Sequence, residues 1–172
     1  QVNEPKLVVQ KKSLTLSEKQ KKLAENKKKK GEKQNLKGIN PSETEINNLL
    51  KHYQNGQYGD AEKLAVYITQ EFPKHQFGWT VLGAVLKQTG RVSESLVASQ
   101  KSVQLAPQDA TAYYNLGVTL KELGRLDEAE ASYRQSIVLK PDFAEAHSNL
   151  GITLEELGRL DEAEASYKQA IV

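Results

Sequence analysis

The sequence predicts an all-α solenoid, a stack of helix pairs behind a basic N-terminal extension, and three observations carry that prediction. The chain repeats itself: residues 110–138 align without gaps on 144–172, with 22 of 29 positions identical at a period of 34. A fixed period of this length marks like units that each bury an apolar face against the next. Within the period, Ala112, Tyr113, Leu116, Leu120 and Leu123 follow the 3-and-4 spacing of one helix face. The third observation is punctuation. Gly56, Gly90, Gly124 and Gly158 recur at one place in the period, and Pro73, Pro107 and Pro141 at another. Glycine there supplies the positive φ that ends a helix, and proline just past a helix end costs no hydrogen bond.

These signals divide the chain into an extension over 1–41, repeats over 42–75, 76–109 and 110–143, and a last repeat over 144–172 that stops in its second helix. Ser42-x-x-Glu45 after Pro41 is a capping box that starts the first repeat. In the third repeat the first helix spans Ala110–Leu123. The second runs from about Asp127 to Leu139 and is expected to bury Leu126, Ala129, Tyr133 and Ile137. Gly83, Gly117 and Gly151 fall inside first helices, where glycine costs about 1 kcal/mol relative to alanine. That cost is intelligible if the paired helix crosses there, with Ala129 and Ala163 as the small residues facing the glycines.

Trp79 or Tyr113 near the repeat start, the following Leu-Gly, alanine at the twentieth position, an aromatic at the twenty-fourth and proline at the thirty-second make residues 42–172 resemble the tetratricopeptide-repeat (TPR) family. The resemblance implies a right-handed helix-turn-helix solenoid that binds protein. Two repeats depart from the pattern. The first shows Asn48-Leu49 in place of Leu-Gly, as a terminal cap does, and the second has Ser95, Ser99 and Ser102 where Ala, an aromatic and Ala are usual. In this family the first helices line a concave groove. Carried over by position, the groove comprises Phe77, Thr80, Val81, Ala84 and Lys87; Thr111, Tyr114, Asn115, Val118 and Lys121; and Glu145, Ser148, Asn149, Ile152 and Glu155. Asn115 and Asn149 resemble the asparagine ladder by which O-linked N-acetylglucosamine transferase grips peptide backbone, a role that suits an amide able to donate and accept. The chaperone-binding carboxylate clamp is not expected, because its Lys and Asn positions hold Thr80, Tyr114 and Ser148, then Ala84, Val118 and Ile152.

The formal charge of +2 conceals an asymmetry. Residues 1–40 hold 12 Lys against 4 acids, and residues 41–172 hold 12 basic residues against 18 acids. In the extension, Lys6–Gln10 is a short apolar run, and Ser17–Gln20 is a second capping-box pattern opening a Lys-rich helix to about Lys30. Lys27–Lys30 have no arginine or aromatic beside them for base stacking, which argues against nucleic acid. With no cysteine there is no disulfide, thiolate metal site or cysteine nucleophile, and the compartment stays open, the cytoplasm being the default. No apolar run is long enough to span a membrane. His52, His75 and His147 lie in different repeats, and no H-E-x-x-H, P-loop, G-x-S-x-G or EF-hand pattern occurs, so no active site, metal or cofactor is expected.

Three functions remain. The first is a scaffold that binds a peptide or protein segment in the groove. The second is self-assembly, head to tail into an oligomer or filament, through Leu160, Ala163, Tyr167 and Ile171, with Lys27, Lys28, Lys29 and Lys30 of one copy on the acidic repeats of another. The third is the front of a larger enzyme, since such repeats resemble those that precede glycosyltransferase, sulfotransferase or oxygenase domains in bacterial proteins.

Overall fold

A computed structural model describes residues 40–171, and the extension's apolar run and Lys-rich helix lie outside them. Eight helices follow one another among the described residues: α1 (Glu43–Gln54), α2 (Tyr58–Glu71), α3 (Gln76–Gln88), α4 (Val92–Leu105), α5 (Ala110–Glu122), α6 (Leu126–Leu139), α7 (Ala144–Glu156) and α8 (Leu160–Ala170). They pair as α1/α2, α3/α4, α5/α6 and α7/α8, each helix packing on its successor, so the 34-residue period is one antiparallel pair.

Helix starts and stops follow the local chemistry. The Ser42 hydroxyl accepts from the Glu45 amide while the Glu45 carboxylate accepts from the Ser42 amide, which closes the capping box at α1. The four turn glycines take φ of 70°, 78°, 71° and 77°. The amide after each, on Gln57, Arg91, Arg125 and Arg159, donates to a carbonyl five residues back at 2.8–3.0 Å, the six-to-one bond of a Schellman stop.

Inside the pairs, the mid-helix glycines are close-approach sites, but alanine is not what approaches. A Cβ on Gly117 would lie 2.6 Å from Tyr133 Cε1, and one on Gly151 would lie 2.5 Å from Tyr167 Cε1. The expected facing residues, Ala129 and Ala163, are buried, but the atoms nearest each glycine belong to the ring sixteen residues after it. Burying a tyrosine body this way adds far more apolar contact than an alanine would. The second repeat differs: a Cβ on Gly83 would lie 3.1 Å from Ser99 Oγ and 3.6 Å from both Ala98 Cβ and the Ser95 carbonyl, so small side chains and backbone of α4 face it instead of a ring.

The backbones of first helices of adjacent repeats approach one another (α1 with α3, α3 with α5, α5 with α7), whereas those of second helices do not. The first-helix side is therefore the inner face of the stack, and the second helices splay on the outer face. The core lies between in two apolar clusters. One runs from Leu49 through Ile68, Leu82 and Leu86 to Ala98; the other gathers Leu120, Tyr133, Leu150 and Leu154.

Candidate protein-binding face

On the inner face the position-by-position groove is only partly available. Val81 is 7% exposed and belongs to the first apolar cluster, so it is core and not groove. Phe77 packs partly against the same cluster. Thr80 is occupied, with its hydroxyl 2.8 Å from Ser102 Oγ and 3.3 Å from the Gln76 carbonyl. Ala84, Lys87 and Ser148 are half-buried, and Thr111 and Glu145 exposed. Lys121 reaches Glu156 at 3.5 Å, and the Glu155 carboxylate accepts from the Tyr167 hydroxyl.

The two asparagines are chemically unlike. Both amide hydrogens of Asn149 have acceptors, the Tyr114 hydroxyl at 3.1 Å and the Glu145 carbonyl at 3.0 Å. The side chain of Asn115 is half-buried and has no hydrogen-bond partner among the described residues; only its backbone carbonyl is engaged, by Thr119 Oγ1 at 2.9 Å. The difference originates one repeat earlier: the residue that Asn115 would need in the place of Tyr114 is Thr80, which is turned into its own repeat. Tyr114 and Val118 neighbour Asn115 on the same helix, and on α7 of the next repeat Ile152, the equivalent of Val118, is 37% exposed. The arrangement is an open amide with apolar shoulders, and it can pair with a main chain through one donor group and one acceptor.

Tyr114 anchors this face. Its ring centroid lies 5.1 Å from Phe143 and 6.1 Å from Tyr133. Burial pushes the pKa of its hydroxyl up, the charge of Glu145 adds to that, and the Asn149 bond opposes it. The hydroxyl of Tyr133, itself wholly buried, has no partner, and burial raises its pKa well above the usual phenol value.

The outer face holds a feature that the sequence reading missed. A cleft of about 430 Å³ opens between α6 and α8, with Ile137, Val138, Leu150 and Ala165 among its walls and His147 lining it. His147 stands at the position of the repeat held by Trp79 and Tyr113 in the two before it. The larger indole donates to the Pro73 carbonyl at 3.0 Å, and His147 makes the matching bond from Nε2 to the Pro141 carbonyl at 2.9 Å, so the histidine is a packing residue. Of the residues expected to mediate self-association, Ala163 is 1% exposed and Tyr167 lies over Gly151, while Leu160 and Ile171 are 66% and 86% exposed. Lys27–Lys30 lie outside the described residues. Among the described residues no group of His, Asp and Glu could hold a metal, and no helix is long and apolar enough to cross a membrane.

Fold and face together define an all-α solenoid whose inner side is made of first helices. The tetratricopeptide-repeat family model matches residues 94–142 and 114–172, so the stretch 94–172 is similar to tetratricopeptide repeats. Among solved structures it is similar to a crystal structure of MamA, with a TM-score of 0.71 and 22% identity over 92% of this chain and 94% of that one. A second MamA crystal structure gives 0.67 and 26% over 73% and 71%. MamA from residue 41 to its end, from Desulfovibrio magneticus RS-1, gives 0.69 and 21% over 74% and 72%. No match was found among curated protein sequences.

Proposed function

We propose that this chain is a protein-interaction scaffold that holds an extended segment of a partner protein across the inner face formed by α3, α5 and α7. The observation that carries the reading is the open amide of Asn115, beside Tyr114 and Val118 on α5, with Ile152 exposed on the neighbouring first helix α7. Elsewhere on that face the polar groups of Thr80, Lys121, Asn149 and Glu155 are already paired. The likeness to the asparagine ladder of O-linked N-acetylglucosamine transferase is thereby reduced to a single rung. One rung fixes where a peptide main chain crosses, and the apolar shoulders set a preference for apolar side chains beside it.

A peptide-display library of randomised twelve-residue segments, panned against the intact chain, tests the proposal. Selected peptides are expected to bind Asn115→Ala about tenfold more weakly, the cost of leaving a main-chain partner unpaired being about 1–3 kcal/mol. Their affinity for Val97→Ser, an exposed outer-face control, is expected to be unchanged. Equal binding to all three proteins, or no enrichment at all, would refute it.

A second reading, self-association, is favoured by the exposure of Leu160 and Ile171 on and beside α8. It makes the partner another copy and puts the contact on the last helix instead of the inner face, so the two readings differ in which residues a bound chain covers.

A further inference from the structure

The joint between the second and third repeats is built from different chemistry than the joints on either side of it. Between the first and second repeats, Arg91 on one side pairs with Glu62 on the other. The Ile68 side chain there closes on Gly78, and one apolar cluster runs through both repeats. Between the third and fourth, Arg159 pairs with Glu130 at 2.6 Å, Arg134 with Glu162 at 3.1 Å, and Asn149 with Tyr114 at 3.1 Å. The second apolar cluster runs through both of those repeats.

Between the second and third repeats these devices are absent or reduced. Leu96 occupies the place that Glu62 and Glu130 hold in their repeats, so Arg125 pairs with Glu128 of its own repeat and finds no carboxylate across the joint. The interior there is a layer of hydroxyls, Ser95, Ser99, Ser102 and Thr119, at 1%, 5%, 2% and 1% exposed; Ser102 and Thr119 have buried equivalents in Ser136 and Thr153 one repeat on, whereas Ser95 and Ser99 stand where the third repeat has Ala129 and Tyr133. Their good bonds do not cross the joint. Ser95 Oγ donates to the Gly83 carbonyl at 2.8 Å, Ser102 Oγ pairs with Thr80 at 2.8 Å, and Thr119 Oγ1 donates to the Asn115 carbonyl in its own helix at 2.9 Å. Across the joint, Ser95 and Ser99 stand 3.5 Å from Thr119, at the limit of a hydrogen bond. What does cross is Leu96, partly packed on the second cluster, and one polar tie from the Gln76 amide to the Asp109 carboxylate at the start of α5. The helices meet here as closely as at the other joints, so the distinction lies in the side chains and not in the backbone.

We infer that the solenoid is two blocks, Glu43–Leu105 and Ala110–Ala170, which flex and unfold separately about this hydroxyl-lined joint. On parting, Ser95, Ser102 and Thr119 keep their partners in their own blocks, and the hydrogen bonds given up are the 3.5 Å contacts of Ser95 and Ser99 with Thr119, so the polar cost of opening is small. The Gln76–Asp109 tie, at the N-terminal ends of α3 and α5, is the point about which they turn. The inference stands independently of what binds the inner face.

Native-state hydrogen exchange of the full chain in increasing urea, read by mass spectrometry, tests it. Amides of α1–α4 are expected to follow one isotherm and those of α5–α8 another, each with a denaturant slope of about half that of global unfolding. Because the chain has no cysteine, Ser99→Cys with Thr119→Cys offers one possible disulfide across the joint. Its oxidation is expected to merge the two isotherms, and its reduction to separate them again. A single isotherm for all helices of the unmodified chain would overturn the inference. So would two isotherms that persist unchanged after oxidation.

Discussion

A Cβ added at Gly117 would sit 2.6 Å from Cε1 and 2.8 Å from Cδ1 of Tyr133, on the body of a wholly buried ring that has no free end to swing aside. Gly117→Ala therefore sets two effects against each other: alanine favours the helix by about 1 kcal/mol, and the clash costs about 1–3 kcal/mol. The clash wins, and the variant is expected to melt lower than the parent. Gly59 lies in the first turn of α2 with nothing within 4 Å of the added atom, so Gly59→Ala is expected to melt higher. Thermal unfolding of the two variants beside the parent checks the opposite signs; the same sign for both would mean that ring contact does not decide the matter. The glycine itself was legible in the sequence, because a costly residue recurring in mid-helix demands a packing reason. Its partner was not, since periodicity says which face of a helix is buried but not which of Ala129 and Tyr133 lies over a given backbone atom. Asn115 and Asn149 show the same limit: a repeat makes them look equivalent, and their non-repeated neighbours Thr80 and Tyr114 make one open and the other closed.

Among elements, the helix boundaries of the third repeat were readable, because glycine, the Schellman bond and proline act within a few residues. The second helix of the third repeat begins at Leu126, one residue before its expected start, and ends at Leu139 as expected. Less readable was what pins each second helix to its neighbours. After three of the four turn glycines an arginine makes a two-pronged bond to the glutamate three residues on, Arg91 to Glu94, Arg125 to Glu128 and Arg159 to Glu162, at 2.6–2.7 Å. Those bonds hold the three carboxyls below their ordinary pKa of 4.5. A carboxyl with a lowered folded pKa contributes stability that is complete above its unfolded value and disappears as pH falls through the folded one. The melting temperature is accordingly expected to be flat with respect to these groups above about pH 4.5 and to decline below it. Arg159→Gln, which frees Glu130 and Glu162 from one partner, is expected to decline less steeply over the same acid range. Because Glu94, Glu128 and Glu162 face water the effect is modest. A parent and variant with superimposable acid limbs would remove the clamps from the account.

At the scale of the whole solenoid, the repeat pattern carried the stacking order, but not the chemistry along the stack. The backbones of first helices approach one another and those of second helices splay, which makes one side inner and leaves an outer cleft lined by His147. Three surfaces thus compete to receive another chain: the inner face around Asn115, the outer cleft walled by Val138 and Ala165, and the last helix with Leu160 and Ile171 exposed. Similarity to MamA structures supports the solenoid and does not choose among them. The choice rests on the open amide, and it is tested most directly by a footprint. A peptide selected from the display library is added to isotopically labelled intact chain, and the backbone and side-chain amide resonances that shift are mapped. The account predicts shifts centred on Tyr114, Asn115, Val118 and Ile152, with the Asn115 side-chain amide moving most; shifts centred instead on Val138 and Ala165, or on Leu160 and Ile171, would contradict it.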